Sequence, residues 1–312
     1  MKKRIVGLLS KIRIFFIGSS RNIITWYLFP WLLALLIILP IVFILSKSIY
    51  TEVDTWKGIL IEAHGMILDI IVIGILVSII SKQREKTLEI RRYIEEIDDY
   101  RGLKSREAIH RVAGLIKRLT NKYSYTRINL ENCVLQKTNL EDVNLHGASM
   151  IRANFEGAFL ESSIFEDANF IETNMKKTQM MYSNFENSYL NEVDFQNSNL
   201  VCANFKNALI SGSNFFKANL RGANFEGVRS LFVNFSNSDL SGSKFGNTLL
   251  LDVDLRNANL KDATIELYQL KYAKELDGLI MPDGTLYNDE WKKIIENAKI
   301  PETYLQKWHS KS

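Results

Sequence analysis

An apolar residue occupies every position divisible by five from Leu130 to Leu270 except Ser230, which makes 28 of 29 positions with no insertion or deletion. Two places before it stands a small residue, as in Ala148, Ala153, Ala158, Ser163, Ala168, Ala203, Ala218 and Ala223. One place before it stands Asn or Asp in 17 of the 28 repeats centred on Leu130 to Ile265. A period of five fits neither the helix period of about 3.6 nor the strand period of about 2. It fits a coil that turns a corner once per repeat and points its central Leu or Phe inward. One such unit buries too little to fold alone, so neighbours must stack.

The units Ala153-Asn154-Phe155, Ala203-Asn204-Phe205, Ala218-Asn219-Leu220, Ala223-Asn224-Phe225 and Ala258-Asn259-Leu260 resemble the pentapeptide-repeat family, whose pattern is roughly Ala-Asn/Asp-Leu/Phe-x-x. The resemblance covers close to half the chain. It implies a mainly β fold, a right-handed quadrilateral β-helix with four repeats per coil. The sequence carries its own sign of a twenty-residue superperiod. Phe155, Phe195, Phe215 and Phe235 share one class modulo twenty, and Phe165, Phe185, Phe205, Phe225 and Phe245 share the opposite one. Of the ten central Phe residues, Phe170 alone departs from this rule. Two Phe stacks should therefore run along opposite walls of a rod of about seven coils.

Upstream, Ile23 to Leu45 is a run of 23 residues without a charge, with Trp26, Tyr27 and Trp31 near one end as interface anchors. Pro30 and Pro40 blur its limits, and a cleaved signal peptide is the competing reading. A second apolar stretch covers about 59–80 and carries Glu62, His64 and Asp69 in its outer half. Residues 1–81 thus read as a membrane anchor with two transmembrane helices, at about 23–45 and 59–80. The three polar groups fit either the headgroup boundary or an ion-handling role. Lys2, Lys3, Arg4, Lys11, Arg13 and Arg21 precede the first span, and Lys82, Arg84, Lys86, Arg91 and Arg92 follow the second. The positive-inside rule then puts both termini in the cytoplasm, beneath the inner (plasma) membrane.

Residues 82–122 read as a helical linker and N-terminal cap. Leu88, Ile90, Ile94 and Ile97 give one apolar face, a break falls at Asp98 to Gly102, and Ser105 can cap a second helix carrying Ile109, Val112, Ile116 and Leu119. The linker resembles the segment preceding the repeats in many bacterial members of the family. Residues 123–272 hold the repeats. Residues 273–312 read as a C-terminal cap, with a turn at Met281-Pro282-Asp283-Gly284-Thr285 and a helix bearing Trp291, Ile294 and Ile295.

Charge and chemistry narrow the function. The chain is +4 overall, yet 126–270 carries 12 basic against 17 acidic residues, a net −5, so its basic pI does not argue for nucleic-acid binding. Cys133 falls on an inward position and Cys202 on an outward one, with no disulfide framework. His64, His110, His146 and His309 are scattered, with no ligand spacing to Cys or a carboxylate, and no phosphate loop or nucleophile elbow is present. No catalytic residue, cofactor, metal or small-molecule substrate is expected. The outward positions of the wall centred on 130, 150, 170 and so on hold Ile151, Ile171, Tyr189, Leu209, Leu231, Phe232, Leu249 and Leu251. An apolar stripe of this kind marks a contact surface for a protein partner or a second copy, unless the linker or tail folds over it. A backbone bulge at Ser230 would turn Leu231 inward.

These features lead to a membrane-anchored scaffold presenting a cytoplasmic rod. One alternative is a membrane-perturbing effector in stress or phage defence, controlled by the rod. The other, implied by resemblance to soluble quinolone-resistance members, is a DNA mimic that binds topoisomerase. The basic linker and the membrane tether argue against the last, and a nucleic-acid partner is not expected.

Overall fold

The computed structural model describes residues 54–124 and 127–302. The first expected span, 23–45, lies outside them. Helix α1 (Asp54–Asp99) runs without interruption through the second apolar stretch into the linker. Among the described residues it is the one helix long and apolar enough to cross a membrane, with a mean hydropathy of 2.4 in its most apolar window. Met66, Ile70, Ile73, Val77 and Ile80 are exposed along it. Such a surface is costly in water and favourable in hydrocarbon.

The chain divides into two compact units, 1–88 and 89–312. In the second, α1 ends at the expected break, where Gly102 takes a left-handed φ of +75°. Ser105 then caps α2 (Arg106–Lys117) by accepting the Ala108 N–H at 3.2 Å. Tyr93 and Ile97 of α1 and Val112, Leu115, Ile116 and Leu119 from the α2 segment are buried in one core with Leu130, Cys133 and Leu135 of the first repeats. Arg101 donates to the Asn129 carbonyl at 3.2 Å and to the Glu131 carbonyl, tying the linker to the first coil. Glu89 accepts hydrogen bonds from Tyr93 at 2.7 Å, from Lys122 at 3.0 Å and from Tyr123.

Each repeat is built the same way. The central residue is buried, as Leu130, Phe155, Phe205 and Leu260 are. The residue two places later sits in the left-handed region, as at Asn132, Asp167, Asn207 and Asn257. The small residue three places after the centre closes the turn, so that Ala153 N–H donates to the Met150 carbonyl at 3.0 Å. Where that residue is Ser or Thr its hydroxyl stays satisfied, as Thr138 is on the Leu135 carbonyl at 2.7 Å. Where Asn precedes the centre it commonly folds back, and Asn154, Asn204 and Asn224 accept the N–H two residues on at 3.0–3.1 Å. The pentapeptide motif is therefore a corner motif in which every position has a task.

Stacking is set by a parallel ladder in which residue i pairs with i+20, from Asn129↔Ser149 to Lys244↔Thr264. Four three-residue strands form one parallel sheet in the order β1 (Tyr189–Asn191), β2 (Leu209–Ser211), β3 (Arg229–Leu231), β4 (Leu249–Leu251). The register then lengthens by one residue, with Asp254↔Glu275 and Asn259↔Ile280. The extra residue enters around a 3-10 turn, Leu267–Tyr272. There buried Gln269 donates to the Phe245 and Thr248 carbonyls at 2.6 and 2.7 Å, standing in for a backbone rung. Ile280 next pairs antiparallel with Leu286, and α3 (Asp289–Asn297), capped by Asn288, buries Ile295.

Two Phe ladders run inside the coils. Phe165, Phe185, Phe205, Phe225 and Phe245 stack at 4.8–5.1 Å between ring centres. Phe195, Phe215 and Phe235 stack at 4.7 and 5.0 Å. Between ladders the rings meet edge-to-face at 5.7–6.4 Å. Both geometries suit the aromatic quadrupole, worth about 0.5–1.5 kcal/mol per pair beyond burial. Phe170 falls outside the ladders and packs edge-on to Phe165 at 5.4 Å.

The Glu89 network makes the cap acid-sensitive. Hydrogen bonds from Tyr123, Tyr93 and Lys122 lower the Glu89 pKa from 4.5 to about 2. Between those values the unfolded chain binds the extra proton, so this stabilisation is full above pH 4.5 and fades as pH falls toward 2. Thermal melts across that window should show a shallower acid loss in Glu89→Gln than in the wild type.

Candidate interaction surface

The ladder arranges outward side chains in columns, one residue per coil. On the strand-bearing wall the column before each centre reads Tyr189, Leu209, Arg229, Leu249, and the column after it reads Asn191, Ser211, Leu231, Leu251. Leu209, Leu231, Leu249 and Leu251 are half-buried by their neighbours above and below, while Tyr189 is 55% exposed. Phe232 projects furthest, 66% exposed, from a left-handed φ of 55°. A bulky aromatic in that conformation is uncommon, since the region favours Gly and Asn. The conformation is the one that every corner imposes at this position, as on exposed Tyr182 of another wall, so what distinguishes Phe232 is its exposed apolar side chain. Ile151 and Ile171 lie half-buried on the same wall in earlier coils.

Ser230 does not break the wall. It keeps register with Ile210 and Leu250, so no bulge forms and Leu231 stays outward. Its side chain is 1% exposed and its Oγ has no hydrogen-bond partner. An orphan hydroxyl therefore sits in the core directly behind the most exposed part of the surface.

A second apolar group lies on the wall centred on 140, 160 and so on. Phe159 and Tyr182 are 43% and 64% exposed, Met181 and Val201 are half-buried and Cys202 is exposed. Phe159 also closes a groove of about 480 Å³ between α2 and the coils, with His110, Lys117, Lys137, Asn139 and Glu141. Lys117 Nζ donates there to Asn139 at 2.7 Å. In the other unit, His64 and Asp69 lie on α1, as does Glu62, seven residues before Asp69 and so on the same helix face.

One grouping escapes a linear reading. His146 is remote in sequence from any ligand partner, yet the coil register brings it beside Glu166 and Asp167. The signal was available in the twenty-residue superperiod, because positions i, i+20 and i+21 are spatial neighbours.

The family described as Pentapeptide repeats matches the chain in eight copies, over residues 126–161, 148–187, 188–227 and 234–266. The unmatched residues 228–233 hold Ser230, Leu231 and Phe232. No match is found among curated proteins. Among solved structures, trypsin-treated QnrB1, a plasmid-mediated fluoroquinolone resistance protein, is 16% identical over 56% of this chain and 91% of that one, at a TM-score of 0.27. The Arabidopsis thaliana thylakoid-lumen protein AT2G44920 is 22% identical over 43% and 90%, at 0.31. HetL from Nostoc sp. strain PCC 7120, a protein involved in heterocyst differentiation regulation, is 19% identical over 56% and 98%, at 0.17.

Replacing Ser230 by Ala removes the buried orphan hydroxyl without adding volume. This should stabilise the chain by about 1 kcal/mol, read as a higher thermal midpoint.

Proposed function

Since the chain is a pentapeptide-repeat protein over four segments between residues 126 and 266, we propose that it is a non-enzymatic, membrane-anchored scaffold. In this reading the coils form a right-handed quadrilateral rod. Two spans, 23–45 and 59–80, hold it on the cytoplasmic face of the inner membrane, and the wall bearing β1–β4 receives a protein partner or a second copy. The observation that carries the reading is the apolar composition of that wall, centred on Phe232. An aromatic side chain 66% exposed on a wall of Leu residues is a cost that a bound surface offsets. The four repeats per coil are supported by the i to i+20 register. The anchor is supported by the apolar, exposed stretch of α1.

Crosslinking in membranes tests the wall. Single cysteines replace Leu209 or Leu249 in a Cys202→Ser background. Cys133 can remain, because burial pushes its thiol up to about 11. Self-crosslinks identify a second copy and adducts of other mass identify a partner. Absence of any product from both positions overturns the reading.

The polar residues Glu62, His64 and Asp69 on a helix this apolar favour a second reading, an effector whose rod contacts rearrange the spans and perturb the bilayer. Overproduction would then collapse the membrane potential, and Asp69→Asn would restore it. A potential unaffected by overproduction excludes this reading.

A further inference from the structure

His146 follows the buried Leu145, and Glu166 follows the buried Phe165 one coil later. Their backbones are fixed by the ladder, with Gly147 N–H on the Glu166 carbonyl at 2.8 Å and Asp167 N–H on the Glu186 carbonyl at 3.0 Å. Upstream, the Arg127 N–H donates to the His146 carbonyl at 2.9 Å. An imidazole nitrogen and two carboxylate oxygens, one from each of the three side chains, lie within 4.8 Å of one another. His146 Nδ1 is 4.0 Å from Glu166 and Nε2 is 3.9 Å from Asp167. Both distances are too long for hydrogen bonds, so the ring satisfies neither carboxylate.

Charge sharpens the case. Elsewhere along the stack, opposite charges meet between repeats: Lys176 with Asp194 at 2.9 Å, Lys177 with Glu156 at 3.6 Å and Arg221 with Asp239 at 3.9 Å. The column below His146 instead continues with Glu166 and then Glu186. Like charges at a coil spacing of about 4.8 Å repel. Asn204 approaches Glu186 only at 3.4 Å. The side chain of Arg127 lies over Gly147, one coil above Asp167, and Lys206 is next in the column after Glu186. Among the described residues no Lys or Arg forms an ion pair with Glu166 or Asp167.

We propose that His146, Glu166 and Asp167 bind a divalent transition-metal ion that clamps two neighbouring coils. Metal–ligand bonds of about 2.0–2.2 Å in tetrahedral geometry place ligand atoms roughly 3.4 Å apart. The two nearest approaches use different ring nitrogens, and a single ion takes one of them. With one ligand atom per residue all lie within 4.8 Å, which side-chain rotations of about 1–1.5 Å close, at side chains 31%, 41% and 51% exposed. Solvent supplies the remaining coordination. One imidazole with two carboxylates selects zinc and its late first-row neighbours over magnesium or calcium, which favour all-oxygen sites. The rigid backbone preorganises the ligands, and all three point outward, so the core does not depend on them.

Titration calorimetry with zinc chloride and magnesium chloride tests this on the full chain in detergent after chelator treatment. The wild type should take up one zinc per chain and no magnesium under the same conditions, and zinc should raise its thermal midpoint. His146→Ala, and separately Glu166→Gln with Asp167→Asn, should weaken zinc binding by at least about tenfold and abolish the rise. His110→Ala should change neither. No zinc uptake by the wild type, or equal uptake by His146→Ala, overturns the site. Circular dichroism without metal confirms that each variant is folded.

Discussion

The inter-coil ladder governs this molecule. A parallel register of twenty residues, four pentapeptides in length, is kept from Asn129 to Thr264. Each corner needs one residue in the left-handed region and one small residue where the backbone doubles back, and in most repeats an Asn or Asp before the centre adds a side-chain acceptor. The pentapeptide motif satisfies all three at once. The central Leu and Phe side chains fill the interior that the ladder encloses, each worth about 1.5–3 kcal/mol against the entropy of ordering the backbone. Neither works without the other, since one coil buries too little and unpaired coils leave their backbone groups exposed.

The same register determines the surface. Outward residues become columns, so a change at one position is felt by the residues above and below it and little by sequence neighbours facing other walls. Stacked Asn side chains bond to one another in places, as where Asn204 donates to Asn184 at 2.9 Å and Asn234 to Asn214 at 3.2 Å. Columns of Leu make a stripe, and columns of acids accumulate charge. A flat, rigid face with preset columns suits recognition by a partner, because little entropy remains to be lost on binding.

Much of this was legible in the chain. The five-residue period and the Phe classes modulo twenty depend only on residue identity and spacing, and the two ladders follow them except at Phe155, whose neighbours in the register are Leu135 and Met175. Ser105 as a helix cap and the break before Gly102 were legible for the same reason, being local chemistry. The one-residue lengthening of the register near Leu267 was not, because the repeat period shows no gap there and the compensation is a side chain, Gln269, bonding two distant carbonyls. The continuity of α1 from Asp54 to Asp99 was masked by the change from apolar to charged composition, although no turn signal separates the two stretches. His146 beside Glu166 and Asp167 was hidden by reading ligands along the chain instead of across coils. Phe232 looked like one more apolar residue of the stripe, and its exposure of 66% is seen only in the folded chain.

The two ends of the stack differ from everything between them. Parallel coils present an unpaired row at each end that could template another stack, and fibres would grow by repeated addition. Here the α2 segment packs over the first repeats, while the antiparallel pairing of Ile280 with Leu286 reverses strand direction at the other end and α3 follows it. Head-to-tail polymerisation is thereby blocked at both faces. What the repeats leave open to contact is their sides, where the outward columns lie.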